Sequence, residues 1–417
     1  MSEGLLIVTL AVFALVYLGM AVGRIPGLQV DRTGIAVLGA IILVAVGAVD
    51  GPAAVSSVDF PALLVLAGLM VVSAQAGEAG LYDWCAARLA VSPSAPPRLL
   101  GLVVFVSGGL SALVTNDVVV FAVTPLLCVG LLRRGLDPRP FVLALALAAN
   151  AGSALTPIGN PQNILIAQAG ALPFWPFVLF CLPVALASLL LIWGGMVWLW
   201  RGRWRLDQPG CGAEGSVPVP VPVDRRGAVK TAAAAVGLLV MLSLPVPQAL
   251  GVTVVAGALL ISRRLTTRRT LLLVDWPLLV LFAALFIVTH AAQMTGVPSR
   301  VLASLGDVGL DLRQPWVLTL VSLLGSNTIG NVPADMLVLS LVPDRDPLFL
   351  HSLALLSTLA GNLLITGSMA NIIAVEAAAR QGVRISFLDH ARSGVPLTLI
   401  TVFLAALQMT LFVRLPL

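Results

Sequence analysis

Apolar runs near the length of a bilayer crossing, separated by short arginine-bearing loops, constrain this chain more than any other feature. They lie near residues 4–22, 34–49, 59–77, 141–168 and 174–200, and again near 228–245, 248–262, 277–294, 351–378 and 395–413. About 20 apolar residues in a helix cross a hydrocarbon core of about 30 Å, and lipid leaves the backbone no partner but itself. With 59% of 417 residues hydrophobic and 10% charged, the chain lacks the surface of a soluble enzyme. A membrane barrel would alternate apolar and polar residues, which ALASLLLIWGGMVWLW, residues 185–200, does not. The fold class is an all-α polytopic membrane protein.

The net charge of +5 comes from 23 Arg and one Lys set mostly in short loops, a topology signal and not a nucleic-acid footprint. No nucleic-acid partner is expected. The first apolar run is longer than a signal-peptide core, follows Glu3 and has no basic residues ahead of it, so it reads as the first membrane helix. Cys85, Cys128, Cys181 and Cys211 have no CxxC spacing and read as reduced. His290, His351 and His390, the last in a loop, have no ligand spacing and read as non-ligands. Residues 201–227, RGRWRLDQPGCGAEGSVPVPVPVDRRG, read as an extended cytoplasmic linker. The linker separates an N-terminal repeat, 1–200, from a C-terminal repeat, 228–417.

Two further apolar regions do not fit as single crossings. Residues 99–132 would make a helix of about 51 Å, but SALVTND, 111–117, divides them into limbs of 12 and 15 residues, too short to cross alone. Residues 315–343 repeat the arrangement around SNTIGNVP, 326–333. Both read as re-entrant hairpins, whose irregular tips survive at membrane depth only beside protein or a water-filled cavity. With both re-entrant, twenty of the 24 basic residues fall on one side, which is then cytoplasmic, and both termini lie outside. The halves become an inverted repeat, each with five transmembrane helices plus one re-entrant hairpin. The broken helices, 141–168 and 351–378, meet at the midplane. Ser111 and Asn116 are spaced like Ser326 and Asn331, and GNPQN (159–163) is echoed by GSMAN (367–371). Such repeats are common among secondary transporters.

The tips and breaks concentrate the polar groups. The first half offers Ser111, Thr115, Asn116, Asp117, Thr156, Gly159, Asn160 and Asn163; the second offers Ser326, Asn327, Thr328, Gly330, Asn331, Asp335, Thr366, Gly367, Ser368 and Asn371. Carbonyl, Asn and Ser oxygens suit a hard cation, and the amides of half-helix N-termini suit an anion. The same groups would also cap broken helices. A carboxylate at membrane depth is costly and marks an ion or proton path, so Asp117 and Asp335 are candidate coupling residues. Asp59 and Glu376 lie near helix ends and read as interfacial anchors. No Lys or Arg sits at a tip or break, which favours a small or weakly charged solute, or strict cation coupling.

The strings LVTNDVVVFAVTPLL, GNPQNILI, GNVPADMLV and AGNLLITGSMANIIAVE resemble the paired signatures of the ion transporter superfamily. That superfamily includes arsenite permeases, NhaD-type antiporters, citrate carriers of the CitMHS kind and divalent anion:sodium symporters. The resemblance implies scaffold and transport domains, a homodimer and an elevator motion. It also implies one sodium or substrate site at Thr115, Asn116, Gly159 and Asn163, and a second at Gly330, Asn331, Gly367 and Asn371. Dicarboxylate symporters carry Ser-Asn-Thr at each tip, whereas this chain has Thr115-Asn116-Asp117 and Gly330-Asn331-Val332, closer to the arsenite-permease and NhaD-like branches.

The expected activity is secondary transport of a small anion or oxyanion across the cytoplasmic (inner) membrane, coupled to sodium or protons, without a cofactor. A sodium/proton antiporter is the alternative. An enzyme is not expected: the only acid pair available to an intramembrane protease is Asp117 with Asp335, and no GxxxxGK[ST] loop exists to drive a pump. A channel stays open, although broken inverted repeats favour alternating access.

Overall fold

The computed structural model describes residues 2–23, 27–92, 94–205, 225–261, 266–342 and 346–414. Most of the linker, 206–224 with Cys211, lies outside the described residues. The first half carries α1 (Glu3–Val22), α2 (Arg32–Ala45), α3 (Gly51–Ser57), α4 (Phe60–Glu78), α5 (Leu81–Val91), α6 (Pro96–Leu113), α7 (Asn116–Arg133), α8 (Arg139–Ser153), α9 (Pro161–Ala169) and α10 (Phe174–Leu199). The second carries α11 (Arg225–Ser243), α12 (Gln248–Leu260), α13 (Thr267–Leu272), α14 (Trp276–Met294), α15 (Val297–Asp307), α16 (Pro315–Thr328), α17 (Asn331–Leu341), α18 (Pro347–Ala360), α19 (Met369–Arg380) and α20 (Phe387–Arg414). A 3-10 turn, Ile365–Gly367, precedes α19.

Local chemistry sets the helix starts. Asp59 and Asp275 each stand before an aromatic residue and a proline, and each Oδ1 accepts the N–H three residues on, at 3.0 and 3.1 Å. Such caps satisfy an orphan donor, and proline fits the first turn because its missing N–H is not needed there. Asp59 is therefore a helix cap. Glu376 is exposed, 4.0 Å from Arg380 on the same helix.

Two apolar cores result. Leu43, Leu66, Leu238, Val252 and Leu285 belong to one, in which α1 packs on α2, α2 on α14, α4 on α12 and α11 on α12. Leu99, Leu127, Phe141, Phe349 and Leu353 belong to the other, where α6 packs on α8, α16 on α18, α10 on α8, α20 on α18 and α7 on α19. These pairings recur ten elements apart: α1–α2 with α11–α12, α2–α14 with α12–α4, α6–α8 with α16–α18, and α7–α19 with α17–α9. Residues 140–153 of α8 and 349–360 of α18 are buried on all faces, so these two helices form the centre of the second core.

The first hairpin differs from its expected dimensions. Its limbs α6 and α7 have 18 residues each, about 27 Å, and are among the eight described helices long and apolar enough to cross a membrane. Only Val114 and Thr115 leave the helix, because Ser111, Asn116 and Asp117 sit inside helical turns despite their polarity. Two full-length antiparallel limbs also return the chain to the side it left, so the arginine asymmetry is indifferent to their length. The second pair of limbs has 14 and 11 residues, about 21 and 17 Å, each shorter than a hydrocarbon core of about 30 Å.

Candidate functional site between two broken helices

The polar residues at the breaks first serve the backbone. In the first break, 154–160, Asn160 is extended and caps α9, its Oδ1 accepting the Asn163 N–H at 2.8 Å. The Asn163 amide donates to the carbonyls of Ser153 (3.2 Å), the last residue of α8, and of Thr156 (3.0 Å), within the break. Asn371 does the same in the second break, 361–368, donating to Gly361 (2.9 Å) and Leu364 (3.1 Å). The echo of GNPQN in GSMAN is thus one bracing device used twice.

The hairpin tips are tied to the breaks. The Asn116 N–H donates to the Gly159 carbonyl (3.1 Å), and the Thr156 hydroxyl to Ala112 (2.7 Å). In the second half Asn327 donates to the Ala360 carbonyl (2.9 Å) and accepts the Leu364 N–H (3.1 Å). A Cβ on Gly367 would collide with the Asn327 Oδ1 and the Gly361 carbonyl, so only glycine fits there. Gly330 opens the second tip at φ +94°, a conformation glycine tolerates and side chains resist.

Each half also reaches into the other. Asn150, just before the first break, donates to Asn362 Oδ1 (2.8 Å) and Asn371 Oδ1 (3.4 Å) of the second. Thr358, just before the second break, donates to Asn163 Oδ1 (3.1 Å) and accepts from Asn160 Nδ2 (3.2 Å) of the first. Both residues are completely buried.

A cavity of about 450 Å³ opens beside this junction. Seven of the expected residues line it: Asn116 and Asp117 from the first tip, Gly330 and Asn331 from the second, and Thr366, Gly367 and Ser368 from the second break. Arg32 of α2, Phe282 of α14 and Asp275, which caps α14, line it as well. Asn116 Oδ1 and Asn331 Oδ1 are buried and have no hydrogen-bond partner among the described residues. Buried oxygens without a partner, on residues that line a cavity, are acceptors for a cation or a donor group.

The remaining expected residues lie elsewhere. Thr156, Gly159, Asn160, Asn163 and Asn371 brace the breaks outside the cavity lining; Ser111, Thr115 and Ser326 are buried in or beside the hairpin limbs, and Asn327 ties the second hairpin to its break. Thr328 is exposed and returns its hydroxyl to Leu324 of its own helix at 2.7 Å, so it leaves the site. Asp335 is buried in α17 against the Ser357 hydroxyl and does not line the cavity, so it shares no site with Asp117. Asn163 has its amide and Oδ1 engaged, which leaves Asn116 the better oxygen donor of the first sodium set.

Sequence reading missed Asn150, Thr358 and Asn362, each a polar residue in an apolar stretch, and Arg32, which looks like a loop residue. Arg32 Nε donates to the Met20 carbonyl at 3.1 Å while the residue lines the cavity. His390 is not in a loop but buried in α20, its Nε2 3.1 Å from the Asn362 carbonyl.

A multi-span helical membrane protein with two broken helices packed together, beside a cavity lined by polar residues of two helix-joining tips, belongs, as a class, with the membrane transporters. The fold agrees with the crystal structure of the Alcanivorax borkumensis YdaH transporter, with a TM-score of 0.58 at 14% identity over 98% of both chains. The profile of the citrate transporter family, CitMHS, matches residues 13–344, and the chain belongs to that family. It is 28% identical over 448 residues to the silicon efflux transporter LSI3 of Oryza sativa subsp. japonica, covering 90% of this chain and 92% of that one. It is 32% identical over 329 residues to the inner membrane protein YbiR of Escherichia coli K12, covering 78% and 81%. The protein is a multi-pass membrane transporter and not an enzyme.

Proposed function

We propose that this protein is a secondary carrier that moves a small anion or oxyanion across the cytoplasmic membrane, coupled to sodium or protons. The observation that carries the reading is the cavity itself, lined by Asp117, by Arg32 and by Asn116 and Asn331, one from each tip and each with a buried oxygen that has no partner among the described residues. The acceptors and the carboxylate suit a coupling cation or proton, and Arg32 suits the solute's partial or full negative charge. The rice relative, a silicon efflux transporter by name, favours a small inorganic solute.

The recurrence of packing ten elements apart supports an inverted repeat of residues 1–200 and 228–417 with two re-entrant hairpins. The separation into two apolar cores supports an elevator, in which the core of α8 and α18 moves against that of α4 and α14. A homodimer holding the stationary core follows from the family resemblance. Asp31, Asp117 and Asp275 outnumber Arg32 at the cavity, which favours sodium/proton antiport as the second reading.

Thermal stability of the detergent-purified protein tests both, because a ligand of the folded state raises the melting temperature. The panel is sodium, lithium, pH, citrate, succinate, sulfate, phosphate, arsenite and orthosilicate. A shift with an oxyanion, enlarged by sodium or acid and lost in Asp117→Asn, is the expected result. A shift with sodium or lithium alone replaces the anion carrier with the antiporter.

A further inference from the structure

Asn150 lies outside the cavity lining, yet it fixes how two cavity groups are presented. Its four hydrogen bonds use the whole amide: Oδ1 accepts from Asn116 Nδ2 (2.8 Å) and the Ser368 hydroxyl (3.0 Å), and Nδ2 donates to Asn362 and Asn371. The direction of this network is forced by backbone carbonyls, which only accept. Asn362 must turn its NH2 to the Leu147 carbonyl (3.1 Å), and Asn371 must turn its own to Gly361 and Leu364. Both therefore face Asn150 with oxygen, Asn150 answers with nitrogen, and its own oxygen points to the other side.

There it takes an N–H from Asn116 and the hydroxyl proton of Ser368, leaving Asn116 with an unpartnered Oδ1 and Ser368 with its lone pairs. Were the Asn150 amide reversed, Asn116 would have to offer NH2 at the cavity and the first tip would attract the opposite charge. The residue that decides the polarity of the first tip thus belongs to α8, and the carbonyls that decide for it belong mainly to the second break.

We propose that Asn150 is a positioning residue that holds Asn116 and Ser368 as hydrogen-bond acceptors, so that the ligand at the first tip is a positively polarised group, either a monovalent cation or an O–H donor. It sets the affinity for that group without touching it, and couples it to the geometry of the second break. The proposal rests on the carrier reading above and names the polarity of one part of its site.

The test measures thermal stabilisation of the purified full chain by sodium chloride against choline chloride, and by uncharged orthosilicic acid at fixed sodium. The first arm reports a cation, the second an O–H donor. In Asn150→Leu the half-saturating concentration of whichever probe stabilises the wild type rises about tenfold or more, as expected when a polar group loses its orientation. Asn150→Asp, which keeps an acceptor for Asn116 and Ser368, shifts it less. A merely structural residue would lower the melting temperature of both variants and leave half-saturation where it was, and that result overturns the proposal, as does a larger shift in Asn150→Asp than in Asn150→Leu. Should Asn150→Leu not purify in a monodisperse form, Asn150→Ala carries the same comparison. A wild type that answers neither probe overturns the polarity assigned to the first tip and leaves the carrier reading to the wider ligand panel, whereas a responsive wild type with an unmoved Asn150→Leu overturns the positioning role alone.

Discussion

No residue of the first break, 154–160, lines the cavity, whereas the second, 361–368, presents Thr366, Gly367 and Ser368 to it. Both are braced by an asparagine at the same relative place, Asn163 and Asn371. The neighbouring cavities differ too: the one of about 450 Å³ lies against Asp275 at the start of α14, and another of about 210 Å³ lies against Asp59, which begins α4 in the same way. On the elevator reading this inequality belongs to one conformation, with access from the arginine-rich side. The bracing is common to both breaks, and exposure separates them.

The strongest test of this comparison removes one tip at a time. Asn116→Ala and Asn331→Ala are each expected to reduce flux in proteoliposomes to background while the protein stays monodisperse. Wild-type flux in both would take the tips out of the transport site.

Accessibility comes next. In a background without Cys85, Cys128, Cys181 and Cys211, Thr366→Cys is expected to react with an impermeant maleimide added from the cytoplasmic face, and the buried Thr156→Cys to stay unlabelled. Equal labelling would erase the difference between the breaks.

Bracing is weighed by Thr358→Val, which strips the donor from Asn163 Oδ1 and the acceptor from Asn160 while keeping the volume. Leaving such groups buried and unpaired costs about 1–3 kcal/mol, read as a lower melting temperature. An unchanged melting temperature would show that the first break does not depend on the second half. The smallest effect is expected at Glu376→Gln, further along α19, where the partner Arg380 is exposed at 4.0 Å. Such pairs contribute less than about 0.5 kcal/mol, and a larger loss of stability would mean that α19 is sensitive along its whole length and not only at the break.

The membrane class, the two tips and the two breaks were legible because polar side chains inside apolar runs are costly unless the fold uses them. Asn116, Asn331, Asn163 and Asn371 stand out on that ground alone. The extent of each tip was not legible: a cluster of Ser, Thr, Asn and Asp looks like a broken helix, yet helical turns hold Ser111, Asn116 and Asp117 and only Val114 and Thr115 are irregular. Partnership across the halves was hidden for another reason. That Asn150 answers Asn362, 212 residues away, depends on how α8 lies against the second broken helix, and no local pattern records it. Asp335 shows the converse, a conspicuous carboxylate that packing turned away from the cavity.

The crossed bonds of Asn150 and Thr358 have a consequence for how the chain is made. A ribosome adding about 5–20 residues per second reaches Asn362 some 10–40 s after Asn150, and Thr358 follows Asn163 by 195 residues. Throughout that interval the first broken helix lacks the partners that complete it, and an inserted amide without partners in lipid is a strong reason to stay near the insertion machinery. The N-terminal half is therefore expected to wait for its counterpart, and a nascent chain arrested before residue 358 is a substrate for quality control, not half of a working carrier.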